Sequence, residues 1–506
     1  MGLIGGIKNM LTKAALKYLN VQPAMQMQVT IQEPYTFESN LMRNRLWYRG
    51  EPYELDQFFK NISSDPVNKA RFWCAVPSAD LSIRKIHSGL PGIIVDRLTD
   101  IVLYDLDKLE VAGKEDNTVW EEISDDNKFN SIIQDAITDT LVEGDGAFKI
   151  SIDSEISEYP IIEFYDAEKV DYVYTRGRLK EIKFANFYDK DRKTYKLIET
   201  YGIGYVKYNL YDDYGKEVSL DTLDEARELE DVVFNGDFIM GLPLMFFKSP
   251  KFEGRGKSIF DNKSDSFDAL DEVISQWIDA IRTGRVMKYI PEDLIPQDIN
   301  TGQLMKPNPF DNQFIKVGSS LAEEAKNQID MKQADIKYQA YVESYSNALD
   351  MCLQGIISPS TLGIDLKKTD NATAQREKEK TTLYTRGKLV DVLTETIPEL
   401  ISLVLKTNDV LSKKTPKDYE VTISFGEYAS PSFDTVVETV GKAKSYGIMS
   451  IEKVVNELYG DTMTDDEKKE EVQRIKEQNG YLEADEPKVP DDEEIDPGAD
   501  ADGEEE

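Results

Sequence analysis

The sequence predicts an α+β fold, mainly helical, in one long subunit of several parts. Three observations carry that reading. Residues 36–148 and most of the chain beyond 259 place apolar residues at helical spacing. Residues 147–247 instead alternate apolar and polar side chains, many of them tyrosines beside charges, as half-buried strands do. Beyond residue 259, two helical stripes bracket a proline-containing insert. At 506 residues the chain has room for about three domains. Its 40 % apolar content, with 20 Phe and 26 Tyr, is enough for a packed core.

The elements follow in order. Leu41–Arg49 leads into Tyr53–Phe59 with helical spacing, and Pro91–Leu106 and Phe129–Glu143 are two further helices. Gly144-Asp145-Gly146 breaks the helical pattern and alternation takes over. Val170–Thr175 and Leu179–Phe187 flank Arg176-Gly177, a hairpin signal. Asp189–Lys193 and Asp212–Gly215 are further turns, so an antiparallel meander is expected.

Phe267, Leu270, Ile274, Trp277, Ile278 and Ile281 then fall on one stripe, predicting a helix from about Ile259 to Gly284. The stretch from Arg285 to Ala334 holds four prolines and little helical pattern, and is expected to be compact and irregular. A second stripe runs from Tyr341 to Ile356 and ends at Ser358-Pro359. After a polar loop, a long helix begins near Ala372, with Pro398 inside it expected to kink or divide it. Tyr419–Phe425 alternates as a strand. The remaining body is helical, with Ser450 as an N-cap and Thr464-x-x-Glu467 as a capping box.

Charge narrows the function classes. The chain has 60 Lys and Arg against 95 Asp and Glu, a net −35. That opposes coating of nucleic acid, which needs a basic footprint. From Leu482 to Glu506 there are 13 acids and one Lys, so this end reads as a disordered acidic tail. Its Asp500-Ala501-Asp502-Gly503 lacks the ligand spacing of a calcium loop. The N-terminal segment Met1–Asn20 is mildly basic and amphipathic, and reads as a docking helix or flexible arm. Neither a signal peptide nor a membrane span is expected, and Gly2 lacks the Ser or Thr of a myristoylation signal.

The chemistry-bearing residues are few. Cys74 and Cys352, the two cysteines, lie in apolar surroundings and read as buried small residues. His87 is the single histidine and reads as structural. Gly256-Lys257-Ser258 follows an apolar run and precedes a helix, as a phosphate loop does, but position 251 is Lys where that loop needs Gly. A glycine-containing turn is the expectation there. Ser358–Lys388 carries seven basic and four acidic residues, a local +3 centred on a loop with Lys367 and Lys368. Arg282, Arg285 and Lys288 form a smaller basic group after the first stripe. No catalytic residue, metal ligand or cofactor site is expected.

The order of parts resembles the portal proteins of tailed bacteriophages, nearest the long portals of siphophages of Gram-positive hosts. Five pieces carry the likeness: Leu46-Trp47-Tyr48-Arg49-Gly50 with Phe58-Phe59; Ile83–Leu90 with Ile94–Thr99; Gly256-Lys257-Ser258 running into Ala269-Leu270-Asp271; Ile357–Gly363 with Asn371–Ala374; and Gly447–Ser450 before an acidic helix. They span most of residues 40–480 in the right order.

The resemblance implies a non-enzymatic, portal-type subunit with wing, stem, clip and crown regions. It implies a ring of about twelve copies, with an axial channel for double-stranded DNA. Its parts would be an N-terminal arm (1–35), a helical wing (36–148), a β-rich wing (149–250), a first stem helix (251–284), a clip (285–335) and a second stem helix (336–356). A tunnel loop (357–371), a long kinked helix and wing strand (372–426), a crown (427–480) and the tail (481–506) would follow. The implied partners are other copies of itself, the terminase large subunit, the major capsid protein, and scaffolding and head-completion or neck adaptor proteins, with no membrane. The implied place is the capsid vertex at the head–tail junction of the virion, after synthesis in the host cytoplasm. Lys367 and Lys368 would touch passing DNA from the tunnel loop. Two other readings stay open on the residues alone: an acidic carboxylate or metal-dependent hydrolase, and a non-ring minor capsid or adaptor protein.

Overall fold

The computed structural model describes residues 35–63, 73–74, 83–104, 106–284, 287–291, 294–295, 314–318, 329–333, 335–364, 372–426, 433–459 and 465–478. These form two units, one ending at Gly426 and the other beginning at Glu427.

The first unit opens with α1 (Phe37–Arg49) and α2 (Pro52–Ser63). Thr36 caps α1 by accepting from Ser39 N, and Gly50 ends it in the left-handed region with its N–H on Leu46 O. α3 (Leu90–Tyr104) buries Ile94, Val95, Leu98 and Val102. β1 (Leu106–Val111) and α4 (Lys114–Asn127) follow, then α5 (Phe129–Glu143). Lys128, at φ 53°, joins α4 to α5 without a loop, and Trp120 meets Phe129 edge-on across the joint.

The β-rich region holds β2 (Asp145–Ser151), β3 (Ile161–Asp166), β4 (Val170–Thr175), β5 (Arg178–Lys190), β6 (Lys193–Gly202) and β7 (Tyr205–Tyr211). Short β8 (Glu217–Val218) and β9 (Val232–Val233), then β10 (Gly241–Met245), complete it. β10-β2-β3 form one antiparallel sheet, and β4 to β8 the expected meander, with β9 also on β7. Its turns carry positive φ at Arg176-Gly177 and Asp191-Arg192, the twist that tight hairpins need. Lys149 of β2 reaches Glu199 of β6 at 3.0 Å, so a buried ion pair joins the two sheets.

α6 (Ser264–Thr283) is the first middle helix. The insert after it contains β11 (Met287–Pro291), β12 (Phe314–Val317) and β13 (Asp330–Lys332). They make a mixed three-stranded sheet, β12-β11-β13, so the insert is more regular than its prolines suggest. α7 (Tyr338–Leu353) is the second middle helix, and α8 (Ala372–Leu411) the long one. Pro398 lies within α8 without dividing it. Leu393, Ile397, Leu400, Ile401 and Val404 are all buried around it and hold both halves to the core. β14 (Val421–Phe425) returns antiparallel to β1, pairing Val111 with Val421. One apolar cluster runs from α1 and α3 through α5 and β2 to α8, and Tyr195, Leu197 and Leu210 share a small second core.

The second unit comprises α9 (Phe433–Ser445), α10 (Ile451–Tyr459) and α11 (Asp465–Gln478). Ser450 caps α10 by accepting from Lys453 N, and Lys476 of α11 pairs with Glu452 of α10 at 2.9 Å. Thr464 and the acidic tail lie outside the described residues.

Candidate functional site

The middle helices pair antiparallel, and their two ends differ. At the base, α6 buries Phe267, Leu270, Asp271 and Ser275, and α7 buries Ala348, Leu349, Cys352 and Leu353. Towards the insert end, Trp277 stacks on Tyr341 with rings 6.2 Å apart and 4° from parallel. Beyond that pair the apolar stripe continues without cover. Ile278 is 45 % exposed, Ile281 49 %, Val342 45 % and Tyr338 62 %. Gly284 closes the pair, where a Cβ would meet Ile336 at 2.7 Å. The insert therefore leaves and rejoins the helices at neighbouring points.

The base is anchored by polar groups. Lys263, just before α6, donates to the carbonyls of Met351 (2.7 Å) and Gln354 (2.8 Å) at the end of α7. A cation there satisfies orphan carbonyls and complements the helix dipole. Burial holds that ammonium below the usual lysine range. Cys352 donates to Ser266 O, and burial pushes its thiol up to about 12.

Asp271 is the centre of the anchor. It is fully buried and accepts from Trp73 Nε1 (3.0 Å) and Ser88 N (2.9 Å), and its Oδ2 lies 2.6 Å from His87 Nδ1. One turn on, Ser275 Oγ accepts from Ile86 N (2.9 Å) and contacts Cys74 Sγ. Trp47 of α1 donates to Ser264 Oγ (3.0 Å). Three separate segments are thus tied to one helix. Asp268 accepts from Cys74 N, and burial pushes its carboxyl up to about 7, with Asp271, Glu272 and Asp265 adding to the rise.

The Gly256-Lys257-Ser258 turn has a different task from phosphate binding. Its three amides are already used: Gly256 N on Asp145 Oδ2, Lys257 N on Phe247 O and Ser258 N on Asp261 Oδ2. None is free to cradle an anion. Ser258 Oγ and Ile259 N instead serve the carbonyls of Leu141 and Val142 at the end of α5. These commitments, with Asn262 at φ 66°, delay the start of α6 to Ser264, five residues after its expected start. Arg255 pairs with Asp145 at 2.8 Å, and burial still holds that carboxyl above its ordinary value.

Of the residues singled out by sequence, Arg282 is exposed and pairs with Asp279 at 2.9 Å. Lys288 sits on β11 opposite Phe314 and Met331. Arg285, Lys367 and Lys368 lie outside the described residues. The His87 side chain and both cysteines are buried, His87 against Asp271. Sequence reasoning gave Asp271 no role, although it falls on the apolar stripe between Phe267 and Ile274. An acid at a stripe position is the signal that finds it. Among the described residues no group of three or more His, Cys, Asp or Glu is placed to hold a metal, and no helix is long and apolar enough to cross a membrane.

A family model described as "Phage portal protein, SPP1 Gp6-like" matches residues 39–483. Among solved structures, the chain is similar to one titled "Neck of native GTA particle computed with C12 symmetry". The identity is 12 %, covering 75 % of this chain and 89 % of that one, with a TM-score of 0.36. No curated protein matches the chain.

Proposed function

The chain belongs to the SPP1 Gp6-like family of phage portal proteins, and from that premise we propose how its parts form a conduit. As a phage portal protein it is a structural component of the virion. Copies join head to tail and close into a ring of about twelve around an axial channel at the capsid vertex. Double-stranded DNA is packaged and ejected through that channel. α6 and α7 are the stem, and residues 285–335 are the clip on which the terminase large subunit and later the neck adaptors dock. The wing and crown face the major capsid protein and scaffold. The loop before α8 carries Lys367 and Lys368 towards the passing duplex.

The uncovered apolar face of the helix pair is the observation that carries this reading. Ile278, Ile281, Val342 and Tyr338 continue a stripe whose other half is core. A second copy of the same pair supplies the missing cover. Charge sets a counterweight, because twelve copies at −35 each carry about −420. Packing and counterions must offset that repulsion. The same acidity suits a conduit, since dense phosphate contacts would arrest sliding DNA.

Replacing Ile278 and Ile281 with Glu tests the reading. Native mass spectrometry should show the ring lost while the monomer keeps its circular dichroism. An intact ring in that variant would remove the stem face from the interface.

A further inference from the structure

Two features remain unused by the conduit: a groove on the body and the basic N-terminal segment. The groove has a volume of about 620 Å³, within the range that seats a ligand or several side chains. Leu179, Phe238, Leu242 and Leu403 line its floor, with Ile203 and Pro398 beside them. Ile203 is 53 % exposed, an apolar residue at a turn with no cover. The rim carries Asp237 and Glu399, neither with a hydrogen bond or ion pair among the described residues. Lys406, the cation of the groove, is committed to Asp418 at 2.7 Å. Burial and the neighbouring Glu395 hold the Glu399 carboxyl above its usual range even against the attraction of Lys406, so a further cation at the rim is favoured.

The N-terminal segment is complementary to that groove. It carries Lys8, Lys13 and Lys17 and no acid before Glu33, in a chain of net −35. The spacing of Ile4, Ile7, Leu11, Ala14 and Tyr18 would put them on one face of a helix, with Lys8 and Lys17 on either side of it. An apolar stripe flanked by cations fits an apolar floor flanked by carboxylates. The acidic tail and the DNA backbone are both repelled by the same rim.

We propose that the groove between α8 and the β5–β6–β7 end of the meander is the docking site for residues 2–19 of this chain, apolar face down. Thirty-four residues precede Tyr35, and an extended chain of that length reaches roughly 110 Å, so the arm can serve its own copy or a neighbour.

The full-length protein tests this directly. The photo-crosslinking residue p-benzoylphenylalanine replaces Leu11, and crosslinked peptides are mapped by mass spectrometry. Crosslinks are expected in 237–242 and 398–406 and at the turn around Ile203. The pair Asp237→Lys and Glu399→Lys should cut their yield about fivefold or more. Adding Lys8→Glu and Lys17→Glu to that pair should restore it, a rescue that misfolding cannot produce. Isotope mixing of two copies separates crosslinks within a chain from those between chains. Crosslinks mapping elsewhere, no crosslinks, or a yield indifferent to the rim reversal would overturn the proposal.

Discussion

The backbone of Gly256 crosses that of Gly144 so closely that a Cβ on Gly256 would lie 2.0 Å from the Gly144 carbonyl oxygen. No side chain fits there without moving one of two backbones, and both are pinned. Gly144 follows α5, and Gly256 is held by Asp145. Gly256→Ala should therefore cost about 3 kcal/mol. Ser258→Ala, which strands the Val142 carbonyl and the Phe260 amide while Leu141 keeps its bond from Ile259 N, should cost about 1–2 kcal/mol. Melting curves of the two variants check the order, and a Gly256→Ala protein as stable as the parent would refute the crossing.

Asp271→Ala leaves Trp73 Nε1 and Ser88 N without an acceptor and strips His87 of its partner. The expected loss is about 3 kcal/mol or more, because the stranded groups are buried. Trp73→Phe removes that one donor and leaves a small cavity where the second ring packed, so about 2 kcal/mol is expected. A shifted tryptophan emission should accompany Asp271→Ala, since the Trp73 indole loses its acceptor.

Asp268 gives stability a pH dependence of defined sign. Its folded carboxyl titrates near 7, above the ordinary 3.8, so the folded state holds its proton more tightly. Between those values folding takes up protons, and stability falls as pH rises. Glu143 (about 7) and Asp139 (about 6), both raised chiefly by burial, act in the same direction. Asp268→Asn mimics the neutral form. Its melting temperature should exceed the parent's at pH 8 and match it near pH 4. Equal melting temperatures at both pH values would contradict the assignment.

Lys367→Glu with Lys368→Glu reverses the charge that the tunnel loop would present to DNA. Packaged DNA per particle should fall about tenfold or more, with assembly of the protein unchanged. Packaging and retention at parental levels would end the proposed contact.

Much of the fold was legible because helical periodicity is local. The stripe from Phe267 to Ile281 located α6, and Arg176-Gly177 and Asp189–Lys193 located two hairpins. What escaped depends on partners distant in sequence. β1 is a strand because β14, some 300 residues later, pairs with it. α4 has Trp120 and Ile123 as its buried residues and no apolar stripe to announce it. The sheet in the insert pairs segments separated by prolines and long connections. The delayed start of α6 follows from the needs of α5, a tertiary demand that periodicity does not carry. The same holds for the site. The helix pair was visible, but the Asp271 anchor requires Trp73, His87 and Ser88 to arrive from other segments.

The central claim is that this subunit closes into a ring, and electron microscopy with native mass spectrometry of the purified protein tests it most directly. Salt matters, because −35 per chain opposes association, and at about 1 M the screening length falls to about 3 Å. A closed ring of about twelve copies, with a channel as wide as a DNA duplex and α6 and α7 facing one another between copies, is the predicted result. Monomers or small open oligomers at both low and high salt would contradict it.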